Sequence, residues 1–219
     1  MGGTTTEEDL DPELLLEACL VDEIRLQCDW GEYHFAQLRQ QVKSCRSHQR
    51  TKDFRDFIRD RSLAFAEVQA ILTCAAAVDS IITGRGPPPP KGMTPVSDHT
   101  RAELKRRLEL EQDFEIPGRA RRNDLLHIAE RILPWSKPGE LRGDFLTGIH
   151  PKMPKEMLQP VLRALDFDTL EFAVRGEKCQ LTLVEAALQR LRRATSKAAP
   201  QILRELDPNS MWSSGAGPI

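Results

Sequence analysis

Residues 51–83 read Thr51-Lys-Asp-Phe-Arg-Asp-Phe-Ile-Arg-Asp-Arg-Ser-Leu-Ala-Phe-Ala-Glu-Val-Gln-Ala-Ile-Leu-Thr-Cys-Ala-Ala-Ala-Val-Asp-Ser-Ile-Ile-Thr83. Phe54, Phe57, Ile58, Phe65, Val68, Leu72, Ala75 and Ile82 recur at spacings of three, four and seven, the rhythm of one helix face. From Ala70 to Ile82 the segment is apolar on nearly every side, as a helix at the centre of a bundle must be. Thr73, Asp79 and Ser80 interrupt that run, which falls short of the roughly 20 apolar residues a membrane span needs. The segment predicts a buried bundle helix, and no membrane partner.

Working outward, Asp11-Pro12-Glu13 opens an earlier helix, with Asp as cap and Pro in the first turn. It should run to about Ser44 on Leu15, Ala18, Cys19, Leu26 and Leu38, with a kink at Gly31. On the other side, Gly84-Arg-Gly-Pro-Pro-Pro-Pro-Lys-Gly stops the central helix, and Gly84 to Ser97 reads as a stiff exposed connector. Asp98 or Thr100 caps a third helix ending near Asp113; a fourth follows Pro117-Gly118 and ends at Pro134. After Trp135 the chain turns rich in Pro and Gly, without periodicity. Leu170, Phe172 and Val174 then alternate with Glu171 and Ala173, and Leu181 and Leu183 continue the period of two. That predicts a β-hairpin turning at Arg175-Gly-Glu-Lys. Thr182 and Glu185 have capping-box spacing for a last helix, Leu183 to Ala198. A two-stranded ribbon is marginal alone, so it should pack on helix.

The expected organisation is a disordered tail (1–10), a helical bundle (11–136), a linker (137–156), a hairpin–helix appendage packed on the bundle (157–206) and a disordered tail (207–219). The fold class is mainly α.

Composition narrows the function. The chain has 219 residues, 40% hydrophobic and 29% charged, which excludes collagen-like, low-complexity and wholly disordered classes. The formal charge is −2, from 31 basic and 33 acidic residues, so no global field demands a nucleic acid. The acidic, polar N-terminus is neither a signal peptide nor a basic transit peptide, and a cytoplasmic location is expected. Five cysteines, odd in number and irregularly spaced, suit a reducing compartment. Only Cys45-x-x-His48 has metal-like spacing, and no second half completes it, so no metal and no cofactor are expected. Charge is unevenly placed: Arg119, Arg121 and Arg122 cluster, and Arg190, Arg193 and Lys197 form a stripe on the last helix. Such a stripe is a solvated face, or it meets RNA or an acidic neighbour. No Gly-rich phosphate loop, Gly-x-Ser-x-Gly elbow or His-Glu-x-x-His pattern occurs.

The chemistry-bearing stretch is Arg119-Ala-Arg-Arg-Asn-Asp-Leu-Leu-His-Ile-Ala-Glu-Arg-Ile-Leu-Pro-Trp135. On a helix, Leu125, Leu126, Ile128, Ala129, Ile132 and Leu133 share one face; Asn123, His127 and Glu130 share the opposite one, with Arg131 beside them. That pattern is either an ordinary amphipathic helix or a phosphate site. An imidazole exchanges protons near neutrality, a guanidinium forks onto phosphate oxygens, and an Asn orients either partner. Arg122 lies five residues before His127, roughly 140° around the helix, so it must reach round from the helix start or from a preceding turn.

Arg122-Asn123, His127 and Glu130-Arg131, with Trp135 following, resemble the Arg-x-x-x-x-His motif of HEPN (higher eukaryotes and prokaryotes nucleotide-binding) domains, and especially a bacterial HEPN-like subfamily. The Ala-rich helix with Gln69 near its start and the later hairpin match that subfamily too. The resemblance spans Asp53 to Ala187 and departs at Ile128-Ala129. It implies a HEPN-like helical bundle carrying the C-terminal β-hairpin–helix appendage, acting as a dimeric, metal-independent endoribonuclease in defence or stress. His127 would be the general acid/base, Arg122 the phosphate-stabilising group and Asn123 its polar companion. Arg119, Arg121, Glu130 and Arg131 would bind substrate. Attack by the RNA 2′-hydroxyl puts the attacking and leaving oxygens on opposite sides of phosphorus, and one imidazole cannot serve both at once. A two-fold homodimer would bring two His127 sets to one cleft and leave a 2′,3′-cyclic phosphate and a 5′-hydroxyl. The alternative is a non-enzymatic nucleotide-binding or dimerisation/partner-binding module; under either reading a cognate antitoxin or nucleotidyltransferase is a possible partner.

Overall fold

The computed structural model describes residues 11–85, 91–92, 95–118, 147–149 (backbone only), 163–174 and 177–206. Among them the chain is mainly helical, with a small sheet. The elements are α1 (Pro12–Thr51), α2 (Phe54–Thr83), α3 (Asp98–Arg107), β1 (Thr147–Ile149), β2 (Arg163–Leu165), β3 (Glu171–Val174), β4 (Glu177–Gln180) and α4 (Leu181–Leu206). By contact the chain forms two compact units. The first takes the described residues of 1–29, 77–115 and 189–219; the second takes those of 30–76 and 116–188. The division cuts through α1, α2 and α4. The fourth expected helix, after Pro117-Gly118, lies outside the described residues.

α1 starts as expected: Asp11 Oδ1 accepts the Glu13 N–H at 2.9 Å, and the Asp11 carbonyl accepts that of Leu15 at 2.9 Å. Val21, Ile24, Cys28, Phe35, Leu38, Val42 and Cys45 are its buried row. The helix does not stop at Ser44 but runs on, through Gly31, to Thr51. Gly31 serves a close approach. A Cβ there would stand 2.6 Å from Leu188 Cδ1 and 3.9 Å from Cys74 Cβ, so hydrogen is what lets α4 and α2 close on α1.

α2 begins at Phe54, not Thr51, because Asp53 caps it: Asp53 Oδ1 accepts the Asp56 N–H at 3.2 Å. Ala64, Phe65, Val68, Ile71, Leu72, Ala75, Val78 and Ile82 are buried, as a central helix requires. Phe54 departs from the expected row and is 72% exposed, since it sits in the first turn beyond the packed stretch. By length and hydropathy α2 also passes the test for a membrane-spanning helix, but most of its apolar window is packed inside the protein.

α3 is capped by Ser97, whose Oγ accepts the Thr100 N–H at 3.0 Å; Asp98 and Thr100 fall inside the helix. It ends at Arg107, short of Asp113. The Leu110 N–H reaches the Lys105 carbonyl at 2.9 Å and the Glu109 N–H reaches that of Arg106 at 3.2 Å, with Glu109 at φ 52°. This is a Schellman ending with Glu where Gly is usual.

The sheet order is β1-β2-β3-β4, with β1 parallel to β2 and the other pairs antiparallel. β3 and β4 are the expected hairpin, pairing Phe172 with Cys179 and Val174 with Glu177. Two strands were not anticipated: β1 falls in the segment read as linker, and β2 precedes the hairpin. Phe172 on β3 packs edge-on against Phe65 of α2, ring centroids 6.3 Å apart. The second strand ends at Gln180, so Leu181 and Leu183 do not extend it. Leu181, Val184, Leu188 and Leu191 are buried at spacings of three, four and three, and that helical rhythm wins. Thr182 is therefore not a cap, and Glu185 reaches Arg39 instead. α4 continues past Ala198 through the exposed Pro200, because Ile202 keeps the buried row going.

Candidate functional site

From Tyr33 to Thr51 α1 holds no Asp or Glu, while Arg39, Lys43, Arg46 and Arg50 recur at spacings of four, three and four. That rhythm puts four cations on one helical face. The face overlooks a cavity of about 740 Å³ in the second unit. Val42, Phe167 and Leu170 give it apolar walls; Ser47, Thr51 and Asp168 give it hydrogen-bonding edges.

Two of the cations are fixed by protein partners. Arg39 forks onto Glu185, Nη1 to Oε1 at 2.7 Å and Nη2 to Oε2 at 2.6 Å. Arg46 Nη2 donates to the Phe167 carbonyl at 2.7 Å and to Asp168 Oδ1 at 2.5 Å, its guanidinium 5.8 Å from the centre of the Phe167 ring. Lys43 and Arg50 are exposed and have no partner among the described residues. The groove is thus a braced positive wall with two cations left to meet an anion, and its apolar floor can take a base or ribose face. Sequence reading missed this face, although an acid-free half-helix with cations on one stripe was its visible signal.

The stripe Arg190, Arg193 and Lys197 lines a smaller cavity of about 300 Å³ in the first unit, with Arg107, Glu109 and Gln201. Arg190 is neutralised by Glu111, at 2.9 and 3.0 Å, and its guanidinium lies 5.6 Å from the Phe114 ring centre. Arg193 and Lys197 stay exposed.

The residues singled out from sequence, Arg119, Arg121, Arg122, Asn123, His127, Glu130 and Arg131, all lie outside the described residues, as does His150. Of the remaining histidines, His34 Nδ1 is 2.7 Å from Glu67 Oε2, and His48 Nε2 is 3.3 Å from Asp60 Oδ2. Cys45 does not join His48 in a reactive pair. Burial, with Asp60 adding to it, pushes its thiol up to about 11 and keeps it protonated. His48, Asp53 and Asp56 are the one group among the described residues whose donor atoms could meet on a cation, all within 4.8 Å of one another. Each already serves the helix turn: Asp53 caps α2, Asp56 pairs with Arg59 at 2.9 Å, and His48 faces Asp60.

No family model, curated protein or solved structure matches the chain.

Proposed function

We propose that the protein binds RNA along the basic face of α1 and cleaves it as a homodimeric, HEPN-like, metal-independent endoribonuclease. The acid-free row Arg39, Lys43, Arg46 and Arg50 beside an open cavity carries the binding half of this reading. Phosphates are met by Lys43 and Arg50, while the buttressed Arg39 and Arg46 hold the wall in place. The cleavage half rests on the sequence pattern Arg122-Asn123, His127, Glu130-Arg131. Among the described residues the groove lining contains no imidazole, and the sequence pattern gives proton transfer to His127. The RNA 2′-oxygen attacks phosphorus, its proton goes to one imidazole, and the departing 5′-oxygen takes a proton from the second. Arg122 stabilises the charge that builds on the phosphorane.

The test is cleavage of a mixed-sequence RNA in EDTA by the wild-type chain, His127→Ala and Arg122→Ala, with sedimentation to show that all three are folded and dimeric. Wild type should cut and leave 2′,3′-cyclic phosphate ends, and each variant should lose at least about 100-fold in rate. Equal cutting by all three would overturn the assignment. The absence of an imidazole among the groove's described residues also favours a second reading, a binding module without chemistry. No cutting, together with RNA affinity lost on Lys43→Glu/Arg50→Glu, would establish that one.

A further inference from the structure

Half-buried cations among the described residues are as a rule answered by protein. Arg107 faces Glu17 and Glu205, and Arg46 faces Asp168. Arg61 on α2 and Arg163 at the start of β2 break that rule. Both are half-buried, and the Nε of each is shut off from solvent with no hydrogen-bond partner. Neither has a carboxylate within ion-pair reach among the described residues. Asp60, the acid next to Arg61 in sequence, is already taken by the Ser44 hydroxyl, Arg59 and His48.

Both arginines neighbour Phe65. Arg61 and Phe65 are one turn apart on α2, and the Arg163 guanidinium lies 5.1 Å from the centre of the Phe65 ring. Burial holds the Arg163 pKa below its ordinary value, and the like charge of Arg61 lowers it further. Half-buried like charges, each with an unsatisfied Nε donor, are a cost to the fold that a bound anion relieves. Each guanidinium offers a planar fork of N–H donors, and two forks match the charge and the several oxygens of a phosphate group better than the two oxygens of a carboxylate.

We propose that Arg61 and Arg163 form a receptor for a single phosphate group, either inorganic phosphate or the phosphate of a mononucleotide. Neither residue lines the α1 groove or belongs to the His127 set, so this site stands or falls apart from the cleavage reading.

The experiment follows the thermal unfolding midpoint of the full chain as inorganic phosphate is added at constant ionic strength, for wild type, Arg163→Met and Arg61→Gln. Wild type should rise by about 5 °C at saturating phosphate. Without phosphate, both variants should melt at or above the wild-type midpoint, because each removes a charge that no carboxylate among the described residues answers; with phosphate they should not move. Lys43→Glu/Arg50→Glu, which alters the other basic surface, should respond as wild type does. A wild-type midpoint indifferent to phosphate would overturn the site, and so would Arg163→Met and Arg61→Gln responding as wild type does. A parallel titration with 5′-AMP names the source. Action at ten-fold lower concentration than inorganic phosphate assigns the site to a nucleotide, and equal action assigns it to the free oxyanion.

Discussion

Arg107 sits among three carboxylates of the first unit, Glu17, Glu103 and Glu205. Its side chain is 12% exposed; Nε lies 2.6 Å from Glu17 Oε2, and Nη1 and Nη2 reach Glu205 at 3.0 and 2.8 Å. Burial drives the Glu17 carboxyl above its ordinary pKa; Arg107 pulls it back, and the charges of Glu103 and Glu205 push it up again. Glu205 is displaced downward, chiefly by its hydrogen bonds to Arg107. Removing Arg107 leaves Glu17 buried without its counter-charge, a loss of about 3 kcal/mol at pH 7. The sign with pH follows from both carboxylates. Glu17, raised in the folded state, binds its proton more tightly when folded, so lowering the pH relieves the variant. Glu205, depressed in the wild type, supports the fold above its unfolded pKa and gives up that support as pH falls. Between pH 7 and pH 5 the Glu17 effect narrows the gap, and Glu205 adds to it only below its ordinary pKa. Urea unfolding of wild type and Arg107→Ala should therefore show a clearly smaller difference at pH 5 than at pH 7, and an equal difference would contradict the burial argument.

At the scale of elements, helix ends and long-range pairings are where the sequence misleads. Glu109 holds a left-handed backbone (φ 52°) at the end of α3, the position that ordinarily selects Gly. Its side chain is exposed, and its carbonyl receives Arg190 at 3.4 Å, a contact any residue keeps. Glu109→Gly should accordingly stabilise the chain by about 0.5–1 kcal/mol, read as a higher urea midpoint at unchanged slope. The same residue shows why α3 appeared longer in sequence: the stop is made by backbone geometry at a residue that carries no stop signal. α1 and α2 were legible because their buried rows repeat every three to four residues for many turns, and β3 because its alternation is local. β1 and β2 are three-residue strands whose existence depends on partners distant in sequence, so no local period announces them. At the start of α4, Leu181 and Leu183 satisfied a period of two while Leu181, Val184 and Leu188 satisfied the helical period, and packing decided for the helix. The sites divide in the same way. The Lys43 and Arg50 face was readable from one stretch of helix; the Arg61–Arg163 pair joins residues about a hundred positions apart and had no signature. The His127 set was read from residue types and spacing alone.

For the whole molecule, the formal charge of −2 hides a strong segregation. α1 carries Glu13, Glu17, Asp22, Glu23, Asp29 and Glu32 with Arg25 the lone cation among them, and from Tyr33 to Thr51 four Lys and Arg with no acid. An RNA sensing only net charge would be repelled, and added salt would strengthen its binding by screening that repulsion. An RNA lying against the α1 groove meets a local positive wall instead, and salt weakens it by restoring counterions to the strand. Arg39 and Arg46 are already paired, so Lys43 and Arg50 are the cations that release counterions. Two such contacts on single-stranded RNA give a log–log salt slope of about −1.4, or about sevenfold weaker binding from 50 to 200 mM KCl. Fluorescence anisotropy with a labelled single strand measures that slope. Lys43→Glu/Arg50→Glu should bring it to zero or reverse its sign, whereas Arg193→Glu/Lys197→Glu, on the other basic surface, should leave it unchanged. A slope that survives reversal of Lys43 and Arg50 but collapses with Arg193 and Lys197 would move the RNA path from α1 to α4.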